Sequence, residues 1–206
     1  MKRIFATLLA ALPAFAFAAT IVDFDSDVVG APPPGWTIGS TGGGSPKWSV
    51  QGDSTAPSPP NVLKQLGIGT FPWCVKKDIA IADGFVEVKL KPLSGKEDQA
   101  GGVVWRWTSG ESYYLARVNA LENNIAFYYV ERGRRRELKA VDVKVRRDAW
   151  QTLRAEFSGT HVRVFFNGKP YIEADDHHIA GPGAVGVWTK ADSVTAFDDF
   201  SYDGTH

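Results

Sequence analysis

Short runs in which apolar and polar side chains alternate recur along this chain, and each run is bounded by Gly, Pro, Asn or Asp. Such runs are typical of half-buried β-strands. After residue 19, no stretch longer than two turns places apolar residues at helical spacing. We count about fourteen strands, and because an open sheet of that size would curl or split, two stacked antiparallel sheets are expected. The sequence therefore predicts an all-β jelly-roll sandwich.

The clearest predicted hairpin lies near residue 167. Alternating residues from His161 to Phe166 are followed by Asn167-Gly168, a dipeptide that accepts the positive φ angles of a type I′ turn. Pro170 then begins the second strand, and a strand that contains Pro is expected at the edge of a sheet.

Composition places the chain among ordinary globular proteins and excludes one class of partner. Of its 206 residues, 44% are hydrophobic and 22% are charged, and 23 basic residues balance 23 acidic ones. Because a nucleic-acid binder needs a basic field, nucleic acid is not expected as a partner. One domain spanning residues 19–206 is predicted.

The first eighteen residues have the pattern of a secretory signal peptide. Lys2 and Arg3 precede an apolar stretch that ends in Ala16-Phe17-Ala18, an A-x-A cleavage site. The stretch is shorter than a membrane-spanning helix requires, so no transmembrane anchor is expected. We therefore predict export to the periplasm or the cell exterior. Cys74, the one cysteine, is expected to be a buried, inert thiol.

The N-terminal part of the predicted domain, residues 20–60, is rich in loops. Gly and Pro crowd residues 28–60, which fits either a flexible linker or loops folded onto the sandwich. Trp36, Trp48 and Val50 are spaced through this segment and need to be buried. We therefore expect the segment to belong to the same domain.

Several segments of the C-terminal half share a pattern with one superfamily. The segments are Ala100–Trp107, Tyr113–Asn124, Trp150–Arg154, Asn167–Lys169, Gly186–Ser193 and Phe197–Phe200. Together they resemble the concanavalin A-like lectin/glucanase superfamily with its laminin-G-like jelly roll, in particular exported bacterial domains grouped with the 3-keto-disaccharide hydrolase family. The resemblance implies a jelly roll that handles carbohydrate on a concave sheet with rim loops.

One motif of that superfamily is missing. The E-x-D-x-x-E strand that gives family 16 glycoside hydrolases two catalytic carboxylates does not occur in this sequence, and Phe85–Lys89 offers only Glu87. A retaining mechanism needs two acids about 5 Å apart. An ordinary retaining glucanase is therefore disfavoured.

Strand alternation suggests a ligand-binding surface. It predicts that Arg106, Arg117 and Asn119 converge on one sheet face, and that Trp188 and Lys190 share a face of a later strand. Sugars present apolar C–H faces and many hydroxyl groups, so an aromatic ring beside planar polar groups suits them. The alternative is a face of cross-strand ion pairs above core tryptophans.

Carboxylates suggest two weaker sites. Glu122, in a turn after Asn119, is a candidate general base or an acceptor for sugar hydroxyls. The first and last strands contribute Asp23, Asp25, Asp198 and Asp199, which could together hold a structural calcium ion. The alternative for these aspartates is a solvent-exposed strand edge. No other cofactor is implied.

Two charged stretches are expected at the surface. Arg132-Gly133-Arg134-Arg135-Arg136 is interpreted as the tip of a hairpin, either simply solvated or in contact with an anionic glycan or lipid. Asp175-Asp176-His177-His178 is interpreted as a surface loop, because adjacent side chains of an extended chain point to opposite sides.

Three hypotheses follow for function. The first is an exported jelly-roll domain that recognises a glycan or modified sugar on its concave face. The second is a glycoside hydrolase that acts on 3-keto-disaccharides, where a base removes the acidified C–H proton, the leaving sugar is expelled and water is added. The third is a structural or adhesive envelope protein. The sequence leaves the glycan and the oligomeric state open.

Overall fold

A computed structural model describes residues 19–205. Within this range there is no α-helix, and fifteen strands form two antiparallel sheets. The strands of the eight-stranded sheet are β1 (Thr20–Val22), β3 (Trp48–Gly52), β4 (Asn61–Gln65), β6 (Asp83–Ser94), β11 (Gln151–Ser158), β12 (His161–Phe166), β13 (Lys169–Asp175) and β15 (Val194–Thr205). The strands of the seven-stranded sheet are β2 (Thr37–Ser45), β5 (Ile68–Ile81), β7 (Ala100–Ser109), β8 (Ser112–Asn119), β9 (Asn124–Glu131), β10 (Arg134–Asp142) and β14 (Gly183–Trp188). The predicted jelly-roll sandwich is confirmed.

The chain crosses between the two sheets several times. The seven-stranded sheet has the order β10-β9-β8-β7-β14-β5-β2. The eight-stranded sheet has the order β13-β12-β11-β6-β15-β4-β3, and β1 pairs with the end of β15. Neighbours such as β14 and β5 are far apart in sequence, so long-range pairing holds both sheets together.

Aromatic rings fill the space between the sheets. Trp105 of β7 is fully buried and stacks with Tyr114, Phe127 and Phe157 at centroid distances of 5.5 to 5.7 Å. Phe157 belongs to the eight-stranded sheet and the other three rings to the seven-stranded one. This cluster therefore ties one sheet to the other by apolar burial and ring packing.

Local sequence signals explain several elements. Asn167 and Gly168 adopt φ angles of 50° and 76°, which confirms the predicted type I′ hairpin between β12 and β13. Pro170 lies in β13, an edge strand of its sheet, as predicted. Cys74 is fully buried, and burial raises the pKa of its thiol well above the usual value, which makes the thiol inert.

The N-terminal segment differs from the prediction in one respect. Thr37–Ser45, expected as loop, is strand β2 at the edge of the seven-stranded sheet, where it pairs with β5. The predicted signal peptide, residues 1–18, lies outside the described residues. In residues 19–205, no helix has the length and apolar character needed to span a membrane.

Candidate functional site

The outer face of the seven-stranded sheet is concave. Arg135 of β10 lies over the ring of Phe71 of β5, with its guanidinium carbon 4.5 Å from the ring centroid. Five strand spacings separate these strands, which in a flat sheet would place them about 24 Å apart, beyond the combined reach of the two side chains. Thr41 of β2 and Tyr113 of β8 likewise meet, 2.8 Å between hydroxyl oxygens, across four spacings. The sheet must therefore curl around this face.

Aromatic side chains form the floor of the concave face. Trp188 is fully buried and stacks under Phe71 at 5.7 Å between ring centroids. The Arg135 guanidinium covers Trp188 and Tyr128 at 5.6 and 4.4 Å from their ring centroids. Phe71 and Arg135 stay partly exposed. The surface that a ligand meets is thus Phe71 and Arg135, with Trp188 supporting them from below.

Arg117 organises one end of the concave face. Its Nη2 donates to Glu122 Oε2 and to the Tyr128 hydroxyl, both at 2.8 Å, and its Nη1 donates to Asn124. Burial alone would raise the pKa of Glu122, but the Arg117 charge and hydrogen bonds from Asn124 and Arg117 hold it below the usual value. Glu122 is therefore an ionised hydrogen-bond acceptor and a weak base.

A buried carboxylate connects two of the predicted ligand-binding residues. Asp98, 1% exposed, accepts a hydrogen bond from Asn119 Nδ2 and forms an ion pair with Lys190. The Lys190 side chain is 27% exposed, so it reaches from solvent to the buried Asp98. Asp98 fixes the position of this ammonium group beside the aromatic floor.

A cavity of about 500 Å³ opens where Phe71 and Lys190 meet. Glu97 also lines it, and one wall is the backbone of Gly43, Gly44 and Gly69. Because glycine has no Cβ, a ligand ring can approach this backbone closely. The volume falls within the range of small-molecule sites.

The concave face also contains hydrogen-bond donors without acceptors. Within residues 19–205, Arg117 Nε, Arg135 Nη1, Trp73 Nε1 and Trp107 Nε1 are buried and have no hydrogen-bond partner. A buried donor left unpaired costs about 1–3 kcal/mol. A ligand with many hydroxyl groups that bound beside Tyr128, whose ring both arginines contact, would supply acceptors for Arg117 Nε and Arg135 Nη1.

Five predicted site residues come together on this face, and a sixth does not. Arg117, Asn119, Glu122, Trp188 and Lys190 all belong to the concave face or its rim.

Arg106 lies elsewhere, at the end of the space between the sheets. A register shift in β7 and a left-handed φ of 47° at Arg106 reverse the alternation, so Trp107 takes the concave-face position instead. Arg106 donates to the carbonyl oxygens of Ala82, Gly159 and Ile179.

The aspartates considered for calcium have protein partners. Asp25 accepts from the backbone N–H of Asn61, and Asp199 pairs with Lys89 and accepts from the Ser58 hydroxyl. Asp23 is exposed. In the described range 19–205, no three or more His, Cys, Asp or Glu side chains are arranged to hold a metal ion.

Asp198 is completely buried, and its carboxylate accepts 2.8 Å hydrogen bonds from the backbone N–H groups of Ser58 and Asp199. Burial raises its pKa to about 6, and the charges of Asp199 and Asp25 act in the same direction. Between about pH 4 and pH 6 the native state thus binds a proton that the unfolded state has lost, and the free energy of unfolding falls as pH rises.

We expect Asp198→Asn to remove this pH dependence. A pKa of about 6 in the native state, against about 4 in the unfolded chain, corresponds to up to about 3 kcal/mol of stability lost by the wild type between pH 4 and pH 7. Urea denaturation at pH 4, 5, 6 and 7 measures the free energy of unfolding of the wild type and of Asp198→Asn. Parallel pH profiles for the two proteins would contradict the assignment.

Three residues of the site escaped the sequence analysis. Phe71 and Asp98 lie in stretches without a motif, and Arg135 was interpreted only as part of a basic hairpin tip. Strand alternation could have identified Arg135. If Arg134, Arg135 and Arg136 lie on one strand, the side chain of Arg135 points to the face of the sheet opposite to that of its two neighbours.

No protein-family model matches the sequence, and no curated protein matches it. Solved structures do resemble it. The carbohydrate-binding module CBM66 from Bacillus subtilis superposes with a TM-score of 0.69 at 16% identity, covering 82% of this chain and 96% of the module. The cellulose-induced protein Cip1 superposes with a TM-score of 0.64 at 15% identity, and the match covers 90% of this chain and 97% of Cip1. The Bacillus licheniformis β-glucanase superposes with a TM-score of 0.54 at 13% identity, and the match covers 93% of this chain and 100% of the glucanase. These likenesses show the fold: the chain is a two-sheet antiparallel jelly roll.

Proposed function

We propose that this protein is a carbohydrate-binding domain that holds a saccharide on the concave face, between Phe71, Arg135 and Lys190. The observation that supports this most directly is the partly exposed Phe71 ring beside the fixed Lys190 ammonium group, both lining one cavity. A sugar ring can stack its C–H face on Phe71 while its hydroxyl groups reach Lys190 and Glu122.

The unpaired donors of the concave face support the same proposal. Arg135 of β10 lies over the rings of Phe71, Tyr128 and Trp188, and these ring contacts hold its guanidinium group. A saccharide that displaces it gains access to Trp188 below and to the unpaired donors around it. Hydroxyl groups are donors and acceptors at once, so they suit such a surface.

Two of the solved structures with this fold are a carbohydrate-binding module and a β-glucanase. Between these two roles the site favours binding. Glu122 is ion-paired with Arg117, and its lowered pKa makes it a poor base for removing a C–H proton. Export, predicted from the first eighteen residues, would place the domain where extracellular glycans occur.

A glycan array of neutral oligosaccharides tests the proposal with matched variants. We expect Phe71→Ala to weaken binding of the retained saccharide at least tenfold, about 1.4 kcal/mol, because the stacking surface is lost. Phe71→Leu keeps the apolar bulk without the flat ring, so its saccharide affinity should lie between those of the wild type and Phe71→Ala. Affinities are measured by titration calorimetry and folding by thermal melting.

Phe85→Ala is the control. Phe85 is also a half-buried phenylalanine under an arginine, Arg154, with 3.6 Å from the guanidinium carbon to the ring centroid, but it lies on the eight-stranded sheet. We expect unchanged saccharide affinity in this variant. Equal loss in both variants, or no saccharide retained by the wild type, would contradict the proposal.

A further inference from the structure

The hairpin of β9 and β10 has two chemically different faces. In its register, Arg135 pairs with Val130, whereas Arg134 pairs with Glu131 and Arg136 with Tyr129. Paired residues share a face of the sheet, and neighbours along a strand alternate. Arg135 therefore lies on the concave face, and Arg134 and Arg136 lie on the opposite face.

That opposite face contains a cavity of its own. It measures about 430 Å³ and is lined by Tyr129, Glu131, Arg132, Arg134 and Arg136. All three arginines are exposed. Among residues 19–205, no carboxylate lies within ion-pair distance of any of them. Three guanidinium groups against the single carboxylate of Glu131 leave an excess of positive charge around one opening.

The rear of this cavity is held rigidly. The Tyr129 ring stacks on His178 with 3.8 Å between centroids and 13° between planes. His178 Nδ1 is 2.8 Å from Asp176 Oδ2, and the Tyr114 hydroxyl donates to the same carboxylate. Asp176 is buried, although its loop was expected at the surface. This chain of contacts fixes the ring that faces the arginines.

Guanidinium groups bind oxyanions through paired N–H donors, with a geometry that matches carboxylate and sulfate. A flat ring beside them suits the C–H face of a sugar. We propose that this cavity is a second binding site, for an acidic saccharide whose carboxylate or sulfate group is held by Arg132, Arg134 and Arg136. The saccharide part of this assignment rests on the proposed function, and the anion part does not.

The surroundings of the hairpin favour a saccharide over a lipid surface. Proteins that bind in the plane of a membrane insert large apolar side chains next to their basic residues. The exposed large hydrophobic residues of the described chain are Ile21, Val28, Val29, Ile38, Leu66, Ile68 and Leu121. None of them lies in the β9–β10 hairpin.

The test compares a charged saccharide with its neutral ester. Trigalacturonate, its methyl ester and a sulfated disaccharide are titrated calorimetrically into the wild type and into Arg134→Gln/Arg136→Gln. We expect trigalacturonate or the sulfated disaccharide to bind the wild type, to bind the double variant at least tenfold more weakly, and to bind less well as NaCl is raised. The methyl ester should show no difference between the two proteins.

Lys77→Gln/Arg147→Gln is the matched control, because it removes two exposed positive charges that lie outside β9 and β10 and do not line the cavity, and it changes net charge equally. We expect the affinity of this control variant for the acidic saccharides to change less than twofold. Equal weakening in both double variants, unchanged binding in the hairpin variant, or binding to phosphatidylglycerol vesicles without binding to either acidic saccharide would overturn the proposal.

The same titrations separate this site from the concave face. Loss of acidic-saccharide binding in the hairpin variant, with no neutral saccharide bound by the wild type, would support the second site and contradict the proposed function. Binding of neutral saccharides that depends on Phe71, with no preference for the acid over its ester, would do the reverse.

Discussion

Replacing Arg106 by methionine is expected to lower the free energy of unfolding by about 3–5 kcal/mol and to leave saccharide affinity unchanged. Arg106 is 6% exposed, and its guanidinium group donates to three backbone carbonyl oxygens from three separate segments. Methionine keeps the apolar stem but leaves all three acceptors unpaired. At about 2–4 °C per kcal/mol for a domain of this size, the melting temperature should fall by about 10 °C.

Arg154→Met is the control for this substitution. Arg154 also forms ion pairs, with Glu87 and Glu156, but its side chain is 27% exposed and these partners can turn to water. We expect a loss of at most about 1 kcal/mol. A small stability change in Arg106→Met would contradict the structural role of Arg106, and a loss of saccharide binding in a folded Arg106→Met protein would place Arg106 in the site as the sequence predicted.

The case of Arg106 shows where strand alternation stops being informative. The alternation is present in the first part of β7, where Val103 and Trp105 face the other sheet and Val104 faces outward. One residue later the register of β7 shifts, so Arg106 faces inward and Trp107 outward. A bulge depends on how three strands pair across long sequence distances, and a single strand's sequence does not determine it.

Strand β2 was missed for a different physical reason. Its glycines predict a loop from local propensity. In the structure, a Cβ atom on Gly39 would lie 2.4 Å from the Trp73 ring, and one on Gly44 would lie 2.3 Å from the backbone of Gly69. These glycines are required by close packing against β5, which only the folded sheet reveals.

The chemical groups of the site were partly predictable. Arg117, Asn119 and Lys190 were identified because they lie on recognisable strands or beside them. Asp98 was not, because it lies in an irregular segment between β6 and β7 and acquires its role only by meeting Asn119 and Lys190 in three dimensions. Curvature likewise brings Arg135 over Phe71, and no local pattern encodes curvature.

The pair formed by Asp98 and Lys190 should show strongly non-additive energetics. Lys190→Met leaves the Asp98 carboxylate buried without its counter-charge, and breaking a buried pair in this way costs about 3–5 kcal/mol. Asp98→Asn is expected to cost less, about 1–2 kcal/mol, since the partly exposed Lys190 can turn to water and Asn119 keeps an amide oxygen as its acceptor.

The double variant Asp98→Asn/Lys190→Met should be about as stable as Asp98→Asn alone, because no unpaired charge remains buried. Urea denaturation of all four proteins then gives a coupling free energy equal to the cost of Lys190→Met alone, about 3–5 kcal/mol, whereas additive losses would mean that the two groups do not interact. Saccharide titration of the same proteins separates the two roles of Lys190. Asp98→Asn retains the ammonium group and should still bind, and the double variant, equally stable but without that group, should bind weakly. Equal affinity in these two variants would remove Lys190 from the binding site and leave its contribution purely structural.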